Sequence, residues 1–124
     1  MAKILLIEDE AGVRETLAAA IESKGHTAVV ACNGREGLEK FRADAFDLVV
    51  TDIIMPEKEG VETIKELRTI KPDVKIVAIS GGGRTGNMDF LKIAKSLGAL
   101  HTITKPIRLK AFNDILNASL GVTQ

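Results

Sequence analysis

The feature that most constrains this chain is a strict alternation of five short β-type apolar runs with segments of helical periodicity. The runs cover residues 4–7, 27–31, 48–51, 75–79 and 100–104. The first, third and fourth are nearly continuous apolar stretches, as parallel strands are when both faces of their sheet are covered. Between the runs, Val13, Leu17, Ala20 and Ile21 form one helical stripe, and Leu38 with Phe41 forms the next. Three more follow: Gly60, Ile64 and Leu67; Phe90, Leu91, Ala94 and Leu97; and Leu109, Phe112, Leu116 and Leu120. Asn33 with Glu36 three residues on resembles a capping box, while Gly25, Gly98 and Gly121 stand where helices should stop and Pro72 closes the third.

A (βα)5 string with right-handed crossovers is best accommodated by an α/β, flavodoxin-like, doubly wound fold. The expectation is a five-stranded parallel sheet in order 2-1-3-4-5 with helices on both faces. At 124 residues the chain is read as a single domain over residues 1–124 with no output domain, so any output must come from the domain itself.

Composition acts here mainly by exclusion. Apolar residues at 45% and charged residues at 27% suit a globular domain, and no apolar run approaches the roughly 20 residues of a spanning helix. Four consecutive apolar residues before Glu8 are too few for the core of a signal peptide, so a cytoplasmic location is expected, without membrane insertion. Lys plus Arg and Asp plus Glu are both 17, which argues against nucleic acid as a partner, and the chain has no Trp or Tyr to stack on bases. Cys32 is the single cysteine; it is expected to be a small buried hydrophobe, and no Cys/His cluster has zinc-ligand spacing.

In an open parallel sheet, ligands sit beyond the carboxyl ends of the strands where the winding reverses, here between strands 1 and 3. Glu8 and Asp9 follow the first run and Asp52 follows the third, so the fold would bring three carboxylates to one crevice. Such a group shifts its titration upward or recruits a cation, and magnesium suits oxygen ligands with retained water. Ser80 follows the fourth run and Lys105 the fifth. With all groups ionised the local charge would be −2, which one Mg2+ would neutralise; phosphoryl transfer depends on such positioning and neutralisation.

At these residues the chain resembles the response-regulator receiver family of two-component systems, from Lys3 to about Leu120. Five separated motifs carry the likeness: Glu8-Asp9; Asp52-Ile53-Ile54-Met55-Pro56 with Gly60; Ser80 with Gly81; Gly98-Ala99; and Lys105-Pro106. The resemblance implies that Asp52 is the phosphoacceptor, and that Asp9, Asp52 and the backbone carbonyl of Ile54 ligate Mg2+, with Mn2+ as a substitute. Glu8 would act mostly through a metal-bound water. Ser80 and Lys105 would each engage a phosphoryl oxygen, and the Lys105-Pro106 bond would be cis, an isomer that is cheap only before proline. A sensor histidine kinase or a histidine phosphotransfer protein would be the donor, and an unidentified protein the target. The chain would be a phosphorylation-controlled interaction switch or a phosphorelay intermediate. It would not be an enzyme on external substrates, but would assist its own phosphorylation and dephosphorylation.

The family pattern breaks at Thr102, where receivers commonly carry an aromatic whose rotation reports phosphorylation; threonine lacks that contact area. Ile54 and Gly82 occupy the two positions that tune dephosphorylation, one apolar and one without a side chain. Residues 81–86 match G-x-G-x-x-G, but they lie outside the first βα turn and lack the acid a dinucleotide site needs, so they read as a mobile loop beside Ser80. His26 and His101 lie in no helical dimerisation pattern and do not read as phosphodonors. Two other classes compete. An aspartyl-phosphate phosphatase would want an acid at Ile54, and a phosphorylation-independent binding module would use the fold for recognition alone.

Overall fold

The computed structural model describes residues 2–53, 59–80, 92 and 95–121. Its strands are β1 (Lys3–Ile7), β2 (Thr27–Ala31), β3 (Leu48–Asp52), β4 (Ile76–Ser80) and β5 (His101–Thr104). They form one parallel sheet in the order β2-β1-β3-β4-β5, as the alternation predicts. Among the described residues the helices of defined extent are α1 (Ala11–Ser23), α2 (Gly34–Ala43), α3 (Glu59–Ile70) and α4 (Leu109–Leu120). Of the stripe expected at residues 90–97, Phe90, Leu91 and Ala94 lie outside the described residues.

Because successive strand residues point to opposite faces, each continuous apolar run feeds two cores at once. Leu5 and Ile7 of β1 pack with Val49, Ile76 and Ala78 beneath α2 and α3, where Leu38, Phe41, Ile64 and Leu67 close over them. Ile4 and Leu6 turn the other way and pack with Val50, Val77 and Ile79 against Leu17 and Ile21 of α1 and Phe112 and Leu116 of α4. β1, β3 and β4 are buried almost throughout, and each fully buried Leu or Ile contributes about 1.5–3 kcal/mol. These three strands are therefore firm supports for whatever stands at their ends.

Local signals set where the helices begin and stop. The Asn33 side chain accepts from the Glu36 N–H at 2.8 Å, and Glu36 reaches back past the cap to the Cys32 N–H at 2.7 Å, a capping box widened by one residue at the start of α2. Its many donors hold the Glu36 carboxyl down at about 2, the Cys32 N–H being the largest cause. At the end of α1 the His26 N–H bonds the Ile21 carbonyl and the Gly25 N–H that of Glu22, a Schellman turn requiring the left-handed φ of 88° that Gly25 adopts. Gly98 and Gly121 also have positive φ. Arg68 of α3 ties down the approach to β5: its guanidinium donates to the carbonyls of Leu97 at 2.7 Å, Gly98 at 2.6 Å and Pro72 at 3.0 Å.

Two expectations need correction. Asp52 and Ser80 are the last residues of β3 and β4 and do not follow them, so both have strand backbone and buried side chains. Cys32 is exposed, not buried. The sheet-edge strand β2 ends at Ala31, and Cys32 stands just before the cap of α2, where the turn engages its backbone N–H through Glu36 and its sulfur accepts from the Asn33 amide while staying open to solvent. Among the described residues no helix is long and apolar enough to cross a membrane.

Candidate functional site

Register builds the site. Ile7 pairs with Thr51, so Glu8 comes level with Asp52; Asp52 pairs with Ile79, and Ser80 with Thr104, one residue before Lys105. The carboxyl ends of β1, β3, β4 and β5 thus present Glu8, Asp52, Ser80 and Lys105 in one row. Hydrogen bonds hold the row at its base: the Glu8 N–H donates to Ala31, the Ile53 N–H to Ile79 and the Lys105 N–H to Ser80, all at 2.9–3.0 Å. The Lys105-Pro106 bond is cis.

The Lys105 ammonium lies 3.0 Å from Asp52 Oδ2, 3.1 Å from Glu8 Oε2 and 2.5 Å from Glu10 Oε1. Burial by itself would lower the pKa of this lysine, but Glu10, Asp52 and Glu8 outweigh burial and raise it, so the ammonium stays charged. Glu8 is fully buried and Asp52 only 1% exposed. Burial pushes the Glu8 carboxyl up to about 7, with the Asp52 charge adding to it and the Glu10 N–H and Lys105 opposing. Arg14 donates to the Glu8 carbonyl at 2.8 Å, and the Glu10 N–H to Glu8 Oε2 at 3.1 Å, so the acidic turn is fixed from both sides.

Carboxylate oxygens of Glu8, Asp9 and Asp52 lie within 4.8 Å of one another. Glu8 Oε1 is buried without a hydrogen-bond partner, an arrangement that costs free energy unless a water or a cation answers it. A hard, oxygen-seeking divalent cation fits this donor set, with Asp9 exposed at the mouth to complete it. The Ile54 carbonyl, also expected as a ligand, lies outside the described residues, as do Gly82 and the glycines of residues 81–86.

Ser80 is fully buried at the end of β4. Thr102 is half-buried in β5 opposite Ala78, and lines a shallow cavity of about 290 Å³ with Ile103, Pro106 and Ile115. Neither histidine approaches the row: His26 Nδ1 accepts from the Ala2 N–H at 3.0 Å at the opposite end of the sheet, and His101 begins β5. Sequence reasoning did not single out Glu10 or Arg14. Glu10 adjoins the acidic pair, but its partner Lys105 is 95 residues away, and only the folded chain shows the pairing.

The sequence pattern of the response regulator receiver domain matches residues 4–117, and the chain belongs to that family. Chemotaxis protein CheY of Thermotoga maritima is 34% identical over 116 residues, covering 93% of this chain and 94% of that protein. Transcriptional regulatory protein ZraR of Klebsiella oxytoca is 31% identical over 98% of this chain, but the chain spans only 27% of its length. Among solved structures, a response regulator receiver domain protein from Clostridium thermocellum superposes with a TM-score of 0.87 at 27% identity, over 98% of this chain and 95% of that one.

Proposed function

We propose that Asp52 is the phosphoacceptor of this receiver domain and that the transfer depends on Mg2+. The observation that carries the reading is the placement of the Lys105 ammonium at 3.0 Å from Asp52 and 3.1 Å from Glu8, in a row built by the sheet register. A carboxylate oxygen of Asp52 attacks the phosphorus of a phosphohistidine on a sensor kinase or phosphotransfer protein. The O–P bond forms as the P–N bond breaks, and the departing imidazole nitrogen keeps the electron pair and takes up a proton. Lys105 holds a positive charge where negative charge gathers on the phosphoryl oxygens, and Ser80, at the end of the neighbouring strand, is positioned to offer its hydroxyl. Glu8 and Asp9, with Asp52, would hold Mg2+, which supplies neutralisation of those same oxygens.

On this reading the chain is a phosphoacceptor that assists its own modification and its reversal, and does not turn over external substrates. It serves in the cytoplasm as an interaction switch or a relay toward another histidine. Incubation with Mg2+ and acetyl phosphate or phosphoramidate is expected to label the wild type and not Asp52→Asn, read as a mass increase of one phosphoryl group. Equal labelling of the two would falsify the assignment.

A further inference from the structure

Glu10 is the cap residue of α1, with extended backbone, yet its side chain makes no capping bond to the helix. It turns to Lys105 instead, at 2.5 Å, while remaining 59% exposed at the side-chain level. A lysine ammonium has three N–H donors, and here three carboxylates face them: Glu8, Asp52 and Glu10. A phosphoryl group arriving on Asp52 therefore finds no spare donor on Lys105. One existing bond must be given up first.

The three are not equally easy to release. Glu8 and Asp52 are buried, and withdrawing the ammonium from either leaves its negative charge to be balanced by the cation alone in a poorly solvated place. Glu10 stands at the mouth of the site and can return to water at little cost, as an exposed partner does. With Gly12, Val13, Thr16, Pro106 and Ile107 it also lines a groove of about 840 Å³ that opens beside Lys105.

We propose that Glu10 is a positioning residue that competes with the phosphoryl group for Lys105, holding the lysine in a resting ion pair and thereby setting how readily Asp52 is modified. The inference rests on the reading of Asp52 as phosphoacceptor. It goes further in giving an exposed carboxylate outside the metal cluster control over uptake. Exchange of an exposed ion pair predicts an effect of about two- to five-fold.

The test uses the full chain with E10Q, E10A and, as a control for loss of one charge from α1, E15Q, since Glu15 is exposed on the same helix. Two affinities are measured by titration calorimetry: Mg2+ alone, and the beryllium trifluoride anion, a phosphoryl mimic, at saturating Mg2+. E10Q and E10A are expected to bind the anion two- to five-fold more tightly and to label faster with acetyl phosphate by a similar factor, while Mg2+ affinity stays level or weakens. E15Q should change neither. This opposition of sign separates competition for Lys105 from damage to the site, which would weaken both ligands together. The inference is overturned if E10Q and E10A match the wild type, if both ligands weaken, or if E15Q tightens the anion equally. Labelling of wild type at Asp52 with no effect of E10Q removes this inference alone. Labelling of Asp52→Asn at the wild-type rate removes the phosphoacceptor reading and this one with it.

Discussion

The two ends of the strand-end row are built differently. On the acceptor side, β1 and β3 are buried along nearly their whole length, with helices packed on both faces, and each ends directly at a charged group. On the other side, β5 is a four-residue edge strand with one buried position, Ile103, and the half-buried Thr102 where the family commonly has an aromatic. Acceptance of a phosphoryl group would ask for carboxylates fixed within a few tenths of an ångström, and the stiff side supplies those, while Lys105, just past β5, is held to them by its ion pairs. Transmission asks for a group with two stable arrangements, and a small threonine on an edge strand offers little contact area to bias them.

Cutting into each side should expose the contrast. Leu5→Ala removes a fully buried side chain from β1 and is expected to cost about 2–5 kcal/mol, whereas Thr102→Ala should cost about 0.5 kcal/mol or less. Urea denaturation midpoints measure both, and equal losses would erase the distinction between the two sides.

Gly37→Ala tests how closely α2 is pressed onto β1. In an exposed helix this change would gain about 1 kcal/mol. Here the new Cβ would sit 2.4 Å from Ile7 Cδ1, and overpacking of about 1–3 kcal/mol should reverse the sign to a net loss of about 1 kcal/mol. Ile7→Val removes that terminal methyl, so the double variant should recover part of the loss; additive losses in thermal melts would show that the contact is not the cause.

The acceptor side also carries a pH signature. In the presence of a chelator, Glu8 in the folded protein titrates at about 7 against an ordinary value of 4.5, so folding takes up a proton between those values. The contribution of Glu8 to stability is therefore present below about 4.5 and lost as pH rises through about 7. Glu8→Gln should flatten this part of the curve of melting temperature against pH, and added Mg2+, taking the place of the proton, should stabilise the wild type more at pH 8 than at pH 6. An unchanged slope in Glu8→Gln would assign the pH dependence to other groups.

The smallest effect is expected from Thr102→Phe. Restoring an aromatic on β5 should leave the rate of labelling by acetyl phosphate unchanged, because among the described residues none of the ion pairs or carboxylate contacts of the row involves Thr102. A large change in rate would join the two sides into one unit.

Much of this was open to reading in the residues themselves. A parallel sheet in the order 2-1-3-4-5 follows from the alternation of periods, and that topology alone puts Glu8, Asp52, Ser80 and Lys105 on one rim. Less visible was anything depending on side-chain reach. Glu10 looked like one more acid at a helix start until Lys105, brought across from β5, proved to lie within hydrogen-bond distance. Cys32 was misjudged because cysteine as a residue type favours burial, while its place one step beyond the end of an edge strand dictates exposure. Strand lengths were short by one residue at Asp52 and Ser80 because polar residues mask the end of an apolar run that hydrogen bonding continues.

That exposure of Cys32 has a chemical consequence. The thiol sits beside the Glu36 carboxylate, whose hydrogen bond and charge raise its pKa and keep it protonated at neutral pH. Accessibility and reactivity therefore part company: the one sulfhydryl of the chain faces solvent yet is a sluggish nucleophile. Maleimide or iodoacetamide should modify it slowly at neutral pH and faster in alkali, giving a single attachment point for a fluorophore on the β2 edge of the sheet. A dye placed there would follow the protein's encounters while leaving the ionised rim between β1 and β5 chemically intact.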